Sequence, residues 1–323
     1  MYTGLQLRHV TPWSHRTRRW ALLLCIGYGL NLLMELLMLR FSIGEDGQWV
    51  VSTQTDLDTW MVLFIMAVGV FCWTGLIGFV ISYFREQRET QYFWYEDCVT
   101  GTDFLYTIAW LQVFSTILLT GYAFFFSYPI FSEGSVAGII ETASIQLFIL
   151  IVAILMFHGR WHVIGFTRPN HLGQMLLGIL IIMGFIFFAL DAYLTNPIAD
   201  YFNLSLESER EQGIQQGIVQ AKSSNWLNGI VSIAVVGVFV PIAEEILFRG
   251  VIQTYLVRKW GAIIGIVATS FWFAIMHVDI ALFLPLFVIG LGLGFVRHRY
   301  QSIWGAILLH SLNNLASAMQ YFT

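Results

Sequence analysis

Long apolar segments separated by short polar connections run through the whole chain. Nine of them are long enough to cross a bilayer, since a membrane-spanning helix needs about 20 apolar residues. They lie near residues 20–39, 61–84, 104–127, 137–157, 172–193, 227–248, 261–277, 280–296 and 303–321. The pattern predicts an all-α fold, a polytopic transmembrane helix bundle of about nine spans, or eight if one of the weaker segments does not cross.

The composition agrees with an integral, multi-pass membrane protein. Of the 323 residues, 57% are hydrophobic and only 11% are charged, and the mean hydropathy is +0.71. The lipid bilayer is therefore an expected partner, and no basic pattern points to nucleic acid. Cys25, Cys72 and Cys98 have neither disulfide nor metal-ligand spacing. The sequence does not indicate an oligomeric state.

The basic residues divide unevenly between the connections. With the N-terminus in the cytoplasm, every Lys and Arg falls on the cytoplasmic side except Arg40, Arg210 and Lys222. Because an excess of Lys and Arg marks cytoplasmic connections, the pattern predicts a cytoplasmic N-terminus. The short connections and plain N-terminus favour the cell membrane of a bacterium.

One long polar connection, residues 201–226, divides the chain. It carries Glu207, Glu209 and Glu211 among Gln and Ser residues. We interpret it as a solvated extracytoplasmic linker, with a short surface helix as the alternative. It separates about five N-terminal spans in residues 1–200 from about four spans in residues 227–323.

Two adjacent carboxylates interrupt the sixth apolar segment, in the sequence PIAEEILFRG at residues 241–250. A carboxylate at membrane depth costs at least ~2.5 kcal/mol, so such residues face a protein interior or an aqueous cavity and mark function. On a helix, Glu244 and Glu245 point about 100° apart and cannot share one role. Glu245 is four residues from Arg249 and can pair with it. Glu244 is left for another task.

Three further polar side chains lie in the apolar segments that follow, and helical geometry brings them to a similar depth. Counted from the basic turns at 1.5 Å per residue, Glu244 and His277 lie about 21 and 26 Å away. His310 and Asn314 lie about 15 and 21 Å from their own basic turn. These four residues are expected to form one composite layer. Because Arg249 should sit near the interface, we expect this layer below the cytoplasmic surface.

These residues form three motifs in order: E-E-x-x-x-R from Glu244, F-x-x-x-H from Phe273 and H-x-x-x-N from His310. Together they resemble the CPBP family of intramembrane glutamic endopeptidases, also called the CAAX protease or Abi family, which includes the eukaryotic Ras-converting enzyme. The resemblance covers roughly residues 225–320. The remainder of the chain, residues 1–220, has no such resemblance.

The resemblance implies roles for the four polar residues. Glu244, helped by His277, would be the general base that activates a water molecule to attack a peptide carbonyl. His310 and Asn314 would hold the oxyanion of the tetrahedral intermediate. An Asn amide and a protonated His can both donate to developing negative charge in a site with little competing water.

The same resemblance implies supporting residues and a substrate class. Glu245, Arg249 and Phe273 would be structural. The substrate would be a membrane-associated peptide or protein, and no cofactor would be needed. Whether the substrate is lipidated is left open by the sequence.

Two alternatives remain open. The first is a zinc-dependent version of the same protease with Glu244, His277 and His310 as ligands, although the usual H-E-x-x-H helix is absent. The second is a membrane scaffold or transporter without catalysis. A transporter typically has internal repeats, and none is evident between the two halves of this chain.

Overall fold

The computed structural model describes residues 12–54, 56–89 and 97–322. About 80% of the protein is helical, which confirms the all-α class apart from one hairpin. The helices are α1 Pro12–Leu37, α2 Thr59–Glu89, α3 Gly101–Phe124, α4 Val136–Thr142, α5 Ser144–Phe157, α6 Leu172–Phe202, α7 Glu209–Ser224, α8 Trp226–Trp260, α9 Ala262–Ile275, α10 Ile280–Tyr300 and α11 Ile303–Phe322. The strands are β1 Leu39–Ile43 and β2 Trp49–Thr53. Arg8, a basic residue of the predicted cytoplasmic N-terminus, lies outside the described residues.

Six of the described helices, α1, α2, α3, α6, α8 and α10, are long and apolar enough to cross a membrane. Helices α4 and α5 meet the same criterion as a pair bent by 67°, which gives up to seven. The multi-pass character is thus confirmed, but the predicted number of nine is not. Helix α9 has only 14 residues, and α11 carries Ser311, Asn313 and Asn314 in its middle. The orientation stays a prediction.

The chain divides into two compact units, residues 1–34 with 56–125 and residues 35–55 with 126–323. In the first unit, Gln112 donates to Cys72 Sγ at 3.4 Å. The hydroxyl of Tyr106 donates to Glu86 at 2.8 Å. Buried polar groups in an apolar helix pair need such partners, and these bonds join α2 to α3.

The second unit has an apolar core between α6, α10 and α11. Its fully or almost fully buried members include Ile179, Leu190, Leu293 and Leu309. The three helices are apolar over most of their length, and in lipid such helices associate through close van der Waals packing of their faces. This core holds α10 and α11 side by side.

Residues 39–53 form a β-hairpin that the apolar pattern does not predict. Strands β1 and β2 are antiparallel, with Leu39 opposite Thr53. The signal is local: β-branched and aromatic residues flank the dipeptide Asp46-Gly47, and Gly47 has φ +82°, a conformation that glycine adopts without strain. A search for long apolar segments overlooks strands of five residues.

The long polar connection contains helix α7. The hydroxyl of Ser208 accepts the N–H of Glu211 at 3.0 Å and so caps the helix. Glu209 and Glu211 lie in the first turn and Lys222 in the last, which complements the helix dipole. Residues 209–224 of this connection are therefore helical, as the alternative interpretation predicts, and most of them are exposed.

The connection that follows α5 packs against the end of α10 through Gly165. This residue has φ +97°, and a Cβ added there would lie 2.6 Å from the guanidinium of Arg297. Arg297 is buried and donates to Thr254 Oγ1 at 3.3 Å. The carbonyl of Gly165 also accepts the N–H of Ile303 at 2.8 Å. The positive φ angle and the lack of room for a Cβ atom therefore both favour glycine at position 165.

We expect Gly165→Ala to lower the free energy of unfolding by ~1–3 kcal/mol, because it combines a strained φ with displacement of a buried arginine. The matched control is Gly173→Ala, where an added Cβ meets nothing within 4 Å and alanine favours the helix. Thermal unfolding in detergent should show a lower midpoint for the first variant only. Equal midpoints for the two variants would contradict this packing.

Candidate active site

Helix α8 departs from regular α-geometry on both sides of the two glutamates. Residues Val235–Phe239 and Ile246–Ile252 are π-helical, and the α-helical segment Val240–Glu245 lies between them. π-Helical turns inside α-helices are rare and occur frequently at functional sites, because each inserts a residue and rotates the side chains that follow. The glutamates are thus held between two irregular segments.

The first π-helical segment leaves a backbone carbonyl without a helical donor. The N–H of Val240 bonds to the carbonyl of Val235, as the i to i+5 pattern requires. The corresponding donor for Val236 would be Pro241, whose nitrogen carries no hydrogen. Asn314 from α11 supplies the missing donor, with its Nδ2 atom 3.3 Å from the Val236 oxygen.

Glu245 is completely buried, and each of its carboxylate oxygens lies close to a basic side chain. One carboxylate oxygen, Oε1, lies 2.8 Å from Nδ1 of His310. The other, Oε2, lies 3.3 Å from Nε of Arg249. The pair that the four-residue spacing predicts is therefore present, and the histidine is an additional partner. Such contacts offset the cost of burying the charge.

Arg249 is also completely buried among the helices, and its expected position near the membrane interface stays a prediction. Its Nη2 atom donates to the carbonyl of Gly290 in α10 at 3.2 Å. The guanidinium carbon lies 4.5 Å from the centre of the Phe273 ring, within cation–π distance. Arg249 therefore connects Glu245 to both α9 and α10.

Glu244 has a different environment from its neighbour. Its side chain is 10% exposed, and its Oε2 atom lies 3.9 Å from Nε2 of His310. Within residues 12–54, 56–89 and 97–322, the carboxylate of Glu244 accepts no hydrogen bond from a side chain or backbone group. The carboxylate of Glu244 thus faces His310 and is available to another molecule.

His277 lies just beyond the end of α9. Its Nδ1 atom is 2.6 Å from the carbonyl oxygen of Phe273. Because a carbonyl oxygen only accepts, Nδ1 must carry the hydrogen, and in the neutral ring Nε2 is the proton acceptor. The ring of Phe273 packs edge-on against His277 at 4.8 Å and against His310 at 5.7 Å between centroids.

The structure thus brings some of the predicted site residues closer together than others. Glu244 and His310 face each other directly, and His277 contacts His310 through the ring of Phe273. Asn314 lies one helical turn beyond His310 and contacts Val236. The sequence analysis did not identify the backbone carbonyls of Val236 and Gly290, which bond to Asn314 and Arg249. The sequence signals for them were Pro241, which has no N–H to donate, and Gly290 itself.

A cavity of about 480 Å³ opens beside His277. Its walls are the end of α1, the hairpin, the start of α7 and the start of α10. A second, apolar cavity of about 600 Å³ shares Ile280 and Ala281 with it.

Both cavities lie at the first turn of α10, whereas Arg297 and Arg299 lie in its last turn, about 30 Å away. His277 therefore lies toward the end of α10 opposite the basic turn, and the predicted position of the site below the cytoplasmic surface stays a prediction.

The positions of Glu244, His277 and His310 bear on the zinc-dependent alternative. Among the described ranges, no group of three or more His, Cys, Asp or Glu side chains is arranged to hold a metal ion. The Nδ1 atoms of His277 and His310 are both engaged by oxygen atoms, at Phe273 and Glu245. A zinc ion bound by Glu244, His277 and His310 would therefore need the two remaining Nε2 atoms to converge on one point.

Comparison with known proteins adds one finding. Residues 225–316 match the family model described as Rce1-like, type II CAAX prenyl endopeptidase Rce1-like. No curated protein and no solved structure matches the chain. The matched segment contains α8, α9, α10 and most of α11, and it carries all three motifs. The resemblance drawn from those motifs is confirmed by this match, and residues 225–316 are similar to the Rce1-like CAAX endopeptidases.

Proposed function

We propose that this protein is an intramembrane endopeptidase that hydrolyses a peptide bond in a membrane-associated protein or peptide. Glu244 is the general base, and the chemistry needs no cofactor. The protein is located in a bacterial cell membrane as an integral, multi-pass protein. The family match over residues 225–316 supports the reaction class.

The observation that carries this proposal is the unequal environment of the two adjacent glutamates. Glu245 is fully buried and held by Arg249 and His310. Glu244 is buried except for about 10% of its side chain, and its Oε2 atom lies 3.9 Å from the Nε2 atom of His310. A base must be able to reach a water molecule and accept its proton. Glu244 meets this requirement, whereas Glu245 does not.

In the first step, the Glu244 carboxylate takes a proton from water as the water oxygen bonds to the carbonyl carbon of the substrate. The carbonyl π-electrons move to oxygen and form an oxyanion. His277 assists from the cavity side, where its Nε2 atom can accept a hydrogen bond from the same water. Orienting the nucleophile in this way lowers the entropic part of the barrier.

Asn314 and His310 stabilise the oxyanion. An Asn amide has two N–H donors, and one of those of Asn314 is already used at Val236. That bond fixes the amide and leaves the second donor for the intermediate. His310, held through Nδ1 by Glu245, donates from Nε2 when protonated. The C–N bond then breaks, and the proton held by Glu244 passes to the leaving amine.

We expect Glu244→Gln to abolish cleavage, because glutamine keeps the shape of the side chain but cannot take a proton from water. The measurement is turnover of a proteome-derived peptide library by purified protein in detergent, read by mass spectrometry. Glu45→Gln is the matched control, an exposed glutamate in the hairpin loop.

Equal cleavage by wild type and Glu244→Gln, or no cleavage by wild type, would contradict the proposal. Loss of activity with a chelator and its recovery with zinc would instead favour the zinc-dependent alternative.

We expect Arg249→Ala to reduce the folded yield as well as activity, because it leaves the Glu245 carboxylate buried without its cation, which costs ~3–5 kcal/mol. Arg168→Ala, at an exposed arginine, should change neither. Removing both charges in Arg249→Ala/Glu245→Ala should restore part of the folded yield. Size-exclusion chromatography in detergent measures the yield. A double variant no better folded than Arg249→Ala would refute this energetic role of the pair.

A further inference from the structure

Successive residues of strand β2 direct their backbone N–H and C=O groups alternately toward β1 and toward the outer edge of the hairpin. On its inner side, the N–H of Gln54 donates to Met38 and the N–H of Gly44 donates to Gln48. The even-numbered residues of β2 therefore face β1, and the odd-numbered residues face outward. The outward groups of Trp49 are paired, since Trp49 N–H donates to Asn203 at 2.7 Å.

At the other end of β2, the outward N–H of Thr53 donates to the Glu209 carboxylate at 3.2 Å. Between these two positions lies Val51, whose N–H and C=O face the same edge by the same alternation. The described residues offer them no partner, because the neighbouring segment leaves the edge after Ser205. A backbone donor and acceptor, spaced for one residue of an extended chain, are thus left open.

The residues of this open edge line the cavity beside His277, the candidate catalytic histidine. Val51, Ser52 and Thr53 line the cavity of about 480 Å³ that His277 also lines. Its volume is sufficient for a few residues of an extended peptide. A peptide paired with Val51 would therefore lie in the same cavity as the imidazole.

The cavity is predominantly acidic. Its lining includes Glu35, Glu207, Glu209 and Asp279, against one permanent cation, Arg210. Two of the carboxylates have structural contacts: Glu209 accepts the N–H of Thr53, and Asp279 accepts the N–H of Leu282 and the hydroxyl of Ser208. Glu35 and Glu207 are exposed to the cavity, and their charge complements a basic side chain.

We propose that β2 docks the substrate by strand addition: an extended segment of the substrate pairs with the backbone of Val51 and directs a basic side chain toward Glu35 and Glu207. The proposal rests on the peptidase function above and adds the conformation and charge of the substrate. Main-chain pairing supplies affinity for any extended sequence, and the side-chain pocket supplies selection.

The hairpin lies outside the segment that matches the Rce1-like family model, since β1 and β2 span residues 39–53 and the match spans 225–316. The catalytic motifs and the docking edge thus come from different parts of the chain. The proposed docking edge on β2 is therefore not part of the segment that matches the family model.

The test uses Val51→Pro in the purified full-length protein. Proline removes the outward N–H without breaking the β1–β2 ladder, because proline is tolerated where a strand edge is free. Ile43→Pro is the matched control, since it removes an outward N–H from the opposite edge of the same hairpin. We expect Val51→Pro to lower kcat/KM for the best-cleaved library peptide about tenfold, and Ile43→Pro to change it less than twofold.

A second arm modifies the substrate and does not depend on folding of a variant. The same peptide is synthesised with a single N-methyl group at each position in turn. One position should lower cleavage by wild type about tenfold, with no further loss in Val51→Pro. Library products should carry Lys or Arg near the cleaved bond, and Glu207→Lys should remove that preference.

The outcomes separate the two claims. If cleavage depends on Glu244 but Val51→Pro equals Ile43→Pro, or if no N-methyl position matters, strand addition is refuted and the peptidase function stands. If the library products show no basic preference, the charge selection is refuted. If wild type cleaves nothing, the peptidase function fails, and the docking proposal fails with it.

Discussion

The ionic contact between the buried carboxylate of Glu245 and its two basic partners is the constraint on which the site depends. An ionised carboxylate in an apolar interior is several kcal/mol unfavourable unless it is paired. Arg249 of the same helix and His310 of α11 both contact it, and Arg249 also bonds to α10. Satisfying this one charge fixes three helices relative to one another, and it leaves Glu244 beside His310.

The irregular backbone of α8 gives a second function to the same helix. A proline and a π-helical turn leave the Val236 carbonyl open, and that carbonyl orients Asn314. Polar groups in apolar surroundings are costly when unpaired. The backbone defect and the Asn amide therefore satisfy each other. A side chain held in this way is already oriented when a substrate arrives, which is the condition for effective electrostatic stabilisation.

Helical spacing in the sequence was sufficient to predict most of the polar constellation. The i, i+4 relation gave the Glu245–Arg249 pair, and counting along the helices predicted that Glu244 and His310 lie at a similar depth. The hairpin and the burial of Arg249 were not predicted. A five-residue strand has no long apolar signal, and the burial of an arginine depends on partners such as the Gly290 carbonyl that only the folded chain assembles.

The central claim is that Glu244 acts as a base in breaking peptide bonds of membrane-associated proteins. Its most direct test is to label new protein N-termini in native membranes from cells that express wild type or Glu244→Gln at equal levels. The account predicts at least one new terminus, in a membrane-associated protein, that is present with wild type and missing with the variant. Identical sets of termini in the two membranes would contradict it.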